Sequence, residues 1–171
     1  MIDNIHPITY VLFGATGNLA QIKIMPALCA LFQKNLPDTD IKIITFGRRE
    51  WGNGEYRNFI KPSLSKFDEK IINDFLEHIV FVNGSFEDLE SYETLKSEIG
   101  TSEVFYHLAV LPNAYADIVK GLGKAGLKGK ILIEKPFGNS LESAESLENL
   151  IEDFFEEKEI LRIDHYLGKV G

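Results

Sequence analysis

Residues 8–20 read ITYVLFGATGNLA, and this run decides the fold. ITYVLF has the β-branched, apolar character of a strand buried on both faces. Glycines follow at 14 and 17, and the next residues open a helix. Gly14 permits a tight turn, Gly17 permits close backbone approach, and the helix start presents unpaired N–H groups to a diphosphate. The spacing is Gly-x-x-Gly-x-x-Ala rather than G-x-G-x-x-G. A plain strand-to-helix turn would use the same glycines. The place after a first strand, with no acidic side chain in the turn, favours dinucleotide binding.

Working outward, the same strand-then-helix rhythm continues. Predicted strands are ITYVLF (8–13), IKIITF (41–46), IVFV (79–82), EVFYHLAV (103–110), KILIE (130–134) and ILRI (160–163). Between them lie amphipathic stripes. Leu89, Tyr92, Leu95 and Ile99 form one; Leu141, Ala144, Leu147, Ile151, Phe154 and Phe155 form another, with Ser140 as its N-cap. Pro112 opens a helix that closes on glycine, Pro26 should kink or restart the first helix, and 52–78 holds an extra helix or two. The expected fold is α/β: a Rossmann-like, doubly wound parallel sheet with helices on both faces, spanning 1–171 as one domain. Ligands of such sheets bind outside the carboxyl ends of the strands.

The chain has 171 residues, 44% of them hydrophobic and 26% charged, with a formal net charge of -8. That balance argues against nucleic acid or an anionic membrane as partner, while a local basic cluster still suits an anionic small ligand. The one cysteine, Cys29, sits in an apolar segment and reads as a small buried hydrophobe. The N-terminus lacks signal-peptide character and no apolar run reaches membrane-spanning length, so a cytoplasmic protein is expected. No metal site is called for.

Three further strand ends carry chemistry. After strand two, FGRREW places Arg48 and Arg49 where a dinucleotide's ribose would lie. Guanidinium there selects the 2′-phosphate of NADP, whereas NAD sites use a carboxylate. Glu50 falls one or two residues late for that role, and Asp38 and Asp40 lie at the wrong end of the strand. After strand five, IEKPFG (133–138) fixes the Lys135 ammonium on a stiff Lys-Pro turn. After strand six, RIDHYLGK (162–169) offers His165 and Lys169 as a phosphate clamp, with Asp164 left to orient a base. The Tyr92–Lys96 pair has the Tyr-x-x-x-Lys spacing of short-chain dehydrogenases, but Tyr92 shares the apolar stripe and core packing accounts for it better.

With these motifs in hand, the chain resembles the coenzyme domain of the glucose-6-phosphate dehydrogenase family. GATGNLA is similar to that family's GASGDLA, FGRR to its arginine-bearing strand tip, and LAVLPNAY to LALPPTVY; EKPFG and RIDHYLGK match without change. The resemblance runs from about Tyr10 to Lys169. It implies that Gly14, Ala15, Thr16, Gly17, Asn18 and Leu19 hold the diphosphate of NADP. Arg48, helped by Arg49, would bind the 2′-phosphate, and Tyr115 would lie near the cofactor. Lys135 would touch both cofactor and sugar, and His165, Tyr166 and Lys169 would hold the phosphate of glucose 6-phosphate. Asp164 matches the carboxylate that orients the family's base histidine, so Asp164 and Lys135 are the catalytic candidates.

Asn18 replaces the family's aspartate, Leu111 the first proline of LALPP, and Val170 a charged residue. The four histidines are His6, His78, His107 and His165; the base histidine of the family belongs to a later substrate and dimerisation domain. The chain is thus expected to bind NADP with little turnover alone. It would expose an apolar surface near strand six and Phe154–Phe155, and would self-associate or pair with a full-length homologue. The alternatives are a non-catalytic cofactor-binding fragment and another sugar dehydrogenase.

Overall fold

The computed structural model describes residues 7–35, 41–135, 137–138 and 140–163. Its six strands are β1 (Ile8–Phe13), β2 (Ile41–Gly47), β3 (Ile79–Asn83), β4 (Glu103–Leu108), β5 (Lys130–Glu134) and β6 (Ile160–Ile163). They form one sheet in the order β3-β2-β1-β4-β5-β6, and every pairing is parallel. The chain builds outward from β1 to β3, then returns to β1's other side. The crevice between β1 and β4 is therefore the topological switch point.

Six α-helices supply the crossovers: α1 (Met25–Asn35), α2 (Asn53–Ile60), α3 (Glu69–Glu77), α4 (Leu89–Ile99), α5 (Tyr115–Lys124) and α6 (Leu141–Glu152). Alternate strand residues feed two cores. Val11, Phe13, Ile44 and Tyr106 face Tyr92, Ile118, Leu122 and Ile151 of α4–α6, whereas Leu12 and Ile43 face Met25, Tyr56 and Phe75 of α1–α3. Right-handed crossovers on either side of β1 require this division.

The predicted elements are found with small shifts. Strand four ends at Leu108 rather than 110, because Ala109 already turns over the glycine loop and donates its N–H to Phe13 at 3.1 Å. Pro26 restarts the first helix. Residues Ala20–Ile24 form a π-turn in which the Met25 N–H reaches back to the Ala20 carbonyl. Widening the ladder there relieves the clash between the proline ring and the carbonyl four residues earlier.

Both stripe readings need correction at their first residue. Leu89 and Leu141 are 46% and 76% exposed, because each is the first residue after its N-cap, Asp88 and Ser140. A side chain there leans toward the helix start, away from the turns that pack on the core. Of the apolar surface expected near strand six and the helix carrying Phe154 and Phe155, Leu141 and Leu161 are exposed among the described residues, while the two phenylalanines are not. Phe155 is buried, and Phe154 is half-buried against Gly123, where an added Cβ would lie 2.1 Å from its ring. On β6 it is Leu161 that is exposed, at 38%.

Candidate functional site

The carboxyl ends of β1, β2, β4 and β5 lie along one sheet edge, and the predicted site residues from Gly14 to Lys135 lie at or next to those ends. Gly14 has φ +81, and an added Cβ would sit 2.3 Å from the Ala109 carbonyl oxygen and 2.7 Å from Val110 Cγ1. The turn is closed by Gly17 N–H donating to the Gly14 carbonyl at 3.0 Å. Ala15 is buried, its carbonyl accepting from the Tyr56 hydroxyl at 3.0 Å. Gly17 and Asn18 are exposed and Thr16 and Leu19 half-buried. The helix starts at Asn18, and the first N–H groups of a helix have no partner within it.

Arg48 is exposed at the tip of β2 and lines a groove of about 430 Å³ with Asn83 at the end of β3, Gly84, Ser85 and Asp88 of the β3–α4 connection, and Ser91 of α4. Gly84 keeps that groove open only as glycine: a Cβ would come within 2.7 Å of Phe46 and Ser91. Glu50, Asp88 and Glu90 also line the groove, three carboxylates against one guanidinium, so an anion is favoured only at the Arg48 end. Arg49 packs differently. Its guanidinium lies over Trp51, 4.6 Å from the ring centroid, and its carbonyl accepts from the Asn83 side-chain amide. This stacking fixes the strand tip that presents Arg48.

Lys135 is exposed just beyond β5, two strands from the glycine turn, which is about 10 Å at ordinary strand spacing. Its N–H donates to the Ile163 carbonyl at 3.2 Å. Tyr115 is buried beneath this corner, with its hydroxyl donating to the Glu134 carbonyl at 3.2 Å. Tyr115 thus acts on the strand end that carries Lys135. Asp164, His165, Tyr166 and Lys169 lie outside the described residues.

Sequence reading missed one cluster. His107 and Glu134 are 5% and 9% exposed, and the imidazole Nε2 lies 2.6 Å from a Glu134 carboxylate oxygen. The Tyr10 hydroxyl contacts His107 Nδ1, with the two rings edge to face at 88°. A neutral imidazole satisfies both neighbours: Nε2–H donates to Glu134, and Nδ1 accepts from Tyr10. Burial pushes the Tyr10 phenol well above its ordinary range, and the Glu134 charge adds to this. The available signal was a histidine inside an apolar strand, but its partner is 27 residues away. Conversely, the Tyr92–Lys96 spacing is structural. The Tyr92 hydroxyl donates to the Phe86 carbonyl and Lys96 Nζ to that of Ala125.

A glycine turn at the switch point, a guanidinium at the tip of β2 and a lysine after β5 define a dinucleotide-binding domain of the Rossmann class. The comparisons narrow this further. Over residues 11–170 the chain matches the family described as glucose-6-phosphate dehydrogenase, NAD binding domain, and it belongs to that family. It is 41% identical over 166 residues to the glucose-6-phosphate 1-dehydrogenase of Borreliella burgdorferi, covering 93% of this chain and 34% of that protein. A structure of glucose-6-phosphate dehydrogenase in complex with its substrate glucose-6-phosphate superposes with a TM-score of 0.83 at 30% identity, covering 96% of this chain and 38% of that one. The glucose-6-phosphate 1-dehydrogenase structure from Mycobacterium avium gives a TM-score of 0.88 at 29% identity, covering 96% and 37%. The chain therefore spans about a third of the length of the relatives it matches.

Proposed function

We propose that this chain is the cofactor-binding portion of an NADP-dependent glucose-6-phosphate 1-dehydrogenase. In that reaction hydride passes from the anomeric carbon of glucose 6-phosphate to the nicotinamide, giving 6-phosphogluconolactone, the first step of the oxidative pentose phosphate pathway. The observation that carries the reading is the family match over residues 11–170, which spans the glycine turn, the Arg48 tip and the Lys135 corner.

The residues present fit a dinucleotide. The turn has no Cβ at Gly14, whose place is taken by the Ala109 carbonyl, and none at the exposed Gly17. Gly14–Leu19 hold the diphosphate and Arg48 the 2′-phosphate, with Arg49 and Trp51 bracing the tip. Lys135 reaches cofactor and sugar together. Asp164, His165, Tyr166 and Lys169 belong to the sugar-phosphate side on sequence grounds. No helix among the described residues is long and apolar enough to cross a membrane, and a cytoplasmic setting is part of the proposal. The base histidine is expected from a later region of the full-length enzymes, and residues 1–171 supply the NADP(H) site. General acid–base help is worth ~10² to 10⁴ in rate.

Titration of the chain with NADPH, followed by nicotinamide fluorescence with NADH as control, tests this. Saturable binding that favours NADPH is expected. Equal affinity for the two would overturn the assignment to Arg48, and no binding of either would overturn the site.

A further inference from the structure

We propose that the buried Tyr10–His107–Glu134 chain is a positioning device for Lys135, with His107 as its positioning residue. The inference rests on the reading above, in which Lys135 touches the bound cofactor.

His107 is the anomaly. Its cross-strand neighbours in register are Leu12 on β1 and Leu132 on β5, both apolar. A leucine would continue that layer at no polar cost, whereas burying an imidazole against a carboxylate removes both from water. The sheet does not need the pair for its own cohesion. Its geometry instead leads to one place, since Glu134 is the last residue of β5 and Lys135 follows it.

The Glu134–Lys135 junction is held from three directions. From one face of the sheet, His107 Nε2 donates to the Glu134 side chain at 2.6 Å, and Tyr10 in turn engages His107 Nδ1. From the opposite face, the Tyr115 hydroxyl donates to the Glu134 carbonyl at 3.2 Å. Within the sheet, Lys135 N–H donates to Ile163 at 3.2 Å. These contacts fix the peptide from which the Lys135 side chain springs, so that this backbone need not be ordered when a ligand binds. Preorganisation of this kind raises affinity without adding a contact. His107 touches neither ligand nor reacting atom in this scheme and acts only through Glu134 and Lys135.

The test is a double-mutant cycle on NADPH affinity, read by fluorescence titration of the whole chain. His107→Leu, His107→Gln and Tyr10→Phe are each measured with Lys135 intact and with Lys135→Ala. Glutamine carries an acceptor and a donor on its terminal amide and can replace both ring nitrogens. His107→Leu should weaken NADPH binding about fivefold, the worth of one hydrogen bond. His107→Gln should return affinity to within about twofold, and the His107→Leu loss should vanish in the Lys135→Ala background. An equal loss in both backgrounds, or glutamine no better than leucine, would overturn the inference alone. Should Lys135→Ala bind NADPH as tightly as the unaltered chain, the cofactor role of Lys135 fails and the inference falls with it. If the leucine variant does not fold, Tyr10→Phe, which keeps the ring, carries the same cycle. Its loss of about threefold must likewise disappear without Lys135.

Discussion

Substituting Gly14 by alanine strikes the glycine turn twice. Its φ of +81 lies in the left-handed region, which costs an L-residue about 1–2 kcal/mol. The added methyl would also lie 2.3 Å from the Ala109 carbonyl oxygen and 3.0 Å from the Ala109 carbonyl carbon. Both are backbone atoms at the end of β4, so no side-chain rotation relieves the overlap, and such overpacking costs about 1–3 kcal/mol. The sum is a loss of about 2–5 kcal/mol from a stability that for a domain is typically about 5–15. Gly17 makes the control. An added Cβ there meets only the Gly14 carbonyl oxygen at 3.2 Å, and its φ is ordinary. Gly17→Ala should leave folding within about 0.5 kcal/mol yet place a methyl where a diphosphate approaches, weakening NADPH binding by about tenfold or more. Urea unfolding followed by the fluorescence of the single tryptophan, Trp51, and NADPH titration separate the two effects. If Gly14→Ala unfolds like the unaltered chain, or Gly17→Ala is destabilised as strongly, the account of this turn is wrong.

Three more predictions concern the scaffold. Gly121→Ala would put a Cβ 2.1 Å from the ring of Tyr92, which cannot retreat because it stacks on Phe46 and its hydroxyl is bonded to Phe86. A loss of about 1–3 kcal/mol is expected, whereas Gly54→Ala, with nothing within 4 Å, should gain about 0.5–1 in urea unfolding. Burial raises the phenols of Tyr10, Tyr56, Tyr92, Tyr106 and Tyr115 above their ordinary value. The unfolded chain releases those protons first, at about pH 10. Stability is therefore whole below that pH and falls as pH rises toward the folded values, by about 1.4 kcal/mol per pH unit for each phenol. A urea midpoint unchanged between pH 9 and 11.5 would contradict this. Burial also pushes the Cys29 thiol up to about 11, against a smaller opposing pull from Lys66. At pH 8 only about one part in a thousand is then thiolate, so a disulfide reagent should label the unfolded chain fully and the folded chain hardly at all; equal rates would refute the burial.

Much of this was legible because each signal was local. ITYVLF followed by a glycine turn, and a Ser140 cap before an apolar stripe, require no knowledge of distant residues. The placing of helices on both faces of a parallel sheet then followed from the handedness of the crossovers. Features that depend on two distant segments were not legible. The groove beside Arg48 is completed by Asn83 at the end of β3 and by Gly84 just after it, and Gly84's closeness to Phe46 exists only once β2 and β3 are paired. The His107–Glu134 contact needs β4 and β5 side by side in the register that aligns His107 with Leu132. Leu89 and Leu141 misled for the opposite reason. Periodicity assigns a residue to a face, but it does not say whether the first position of a helix is covered.

The claim on which the rest turns is that Arg48 recognises a 2′-phosphate beside the glycine turn. The direct measurement is the ratio of NADH to NADPH dissociation constants by calorimetry, before and after Arg48→Ala. A charge-assisted contact is worth about 1.5–3 kcal/mol, so the unaltered chain should prefer NADPH by about tenfold to a hundredfold. The variant should lose that preference while binding NADH unchanged. A preference that survives Arg48→Ala, or one absent from the start, would contradict it.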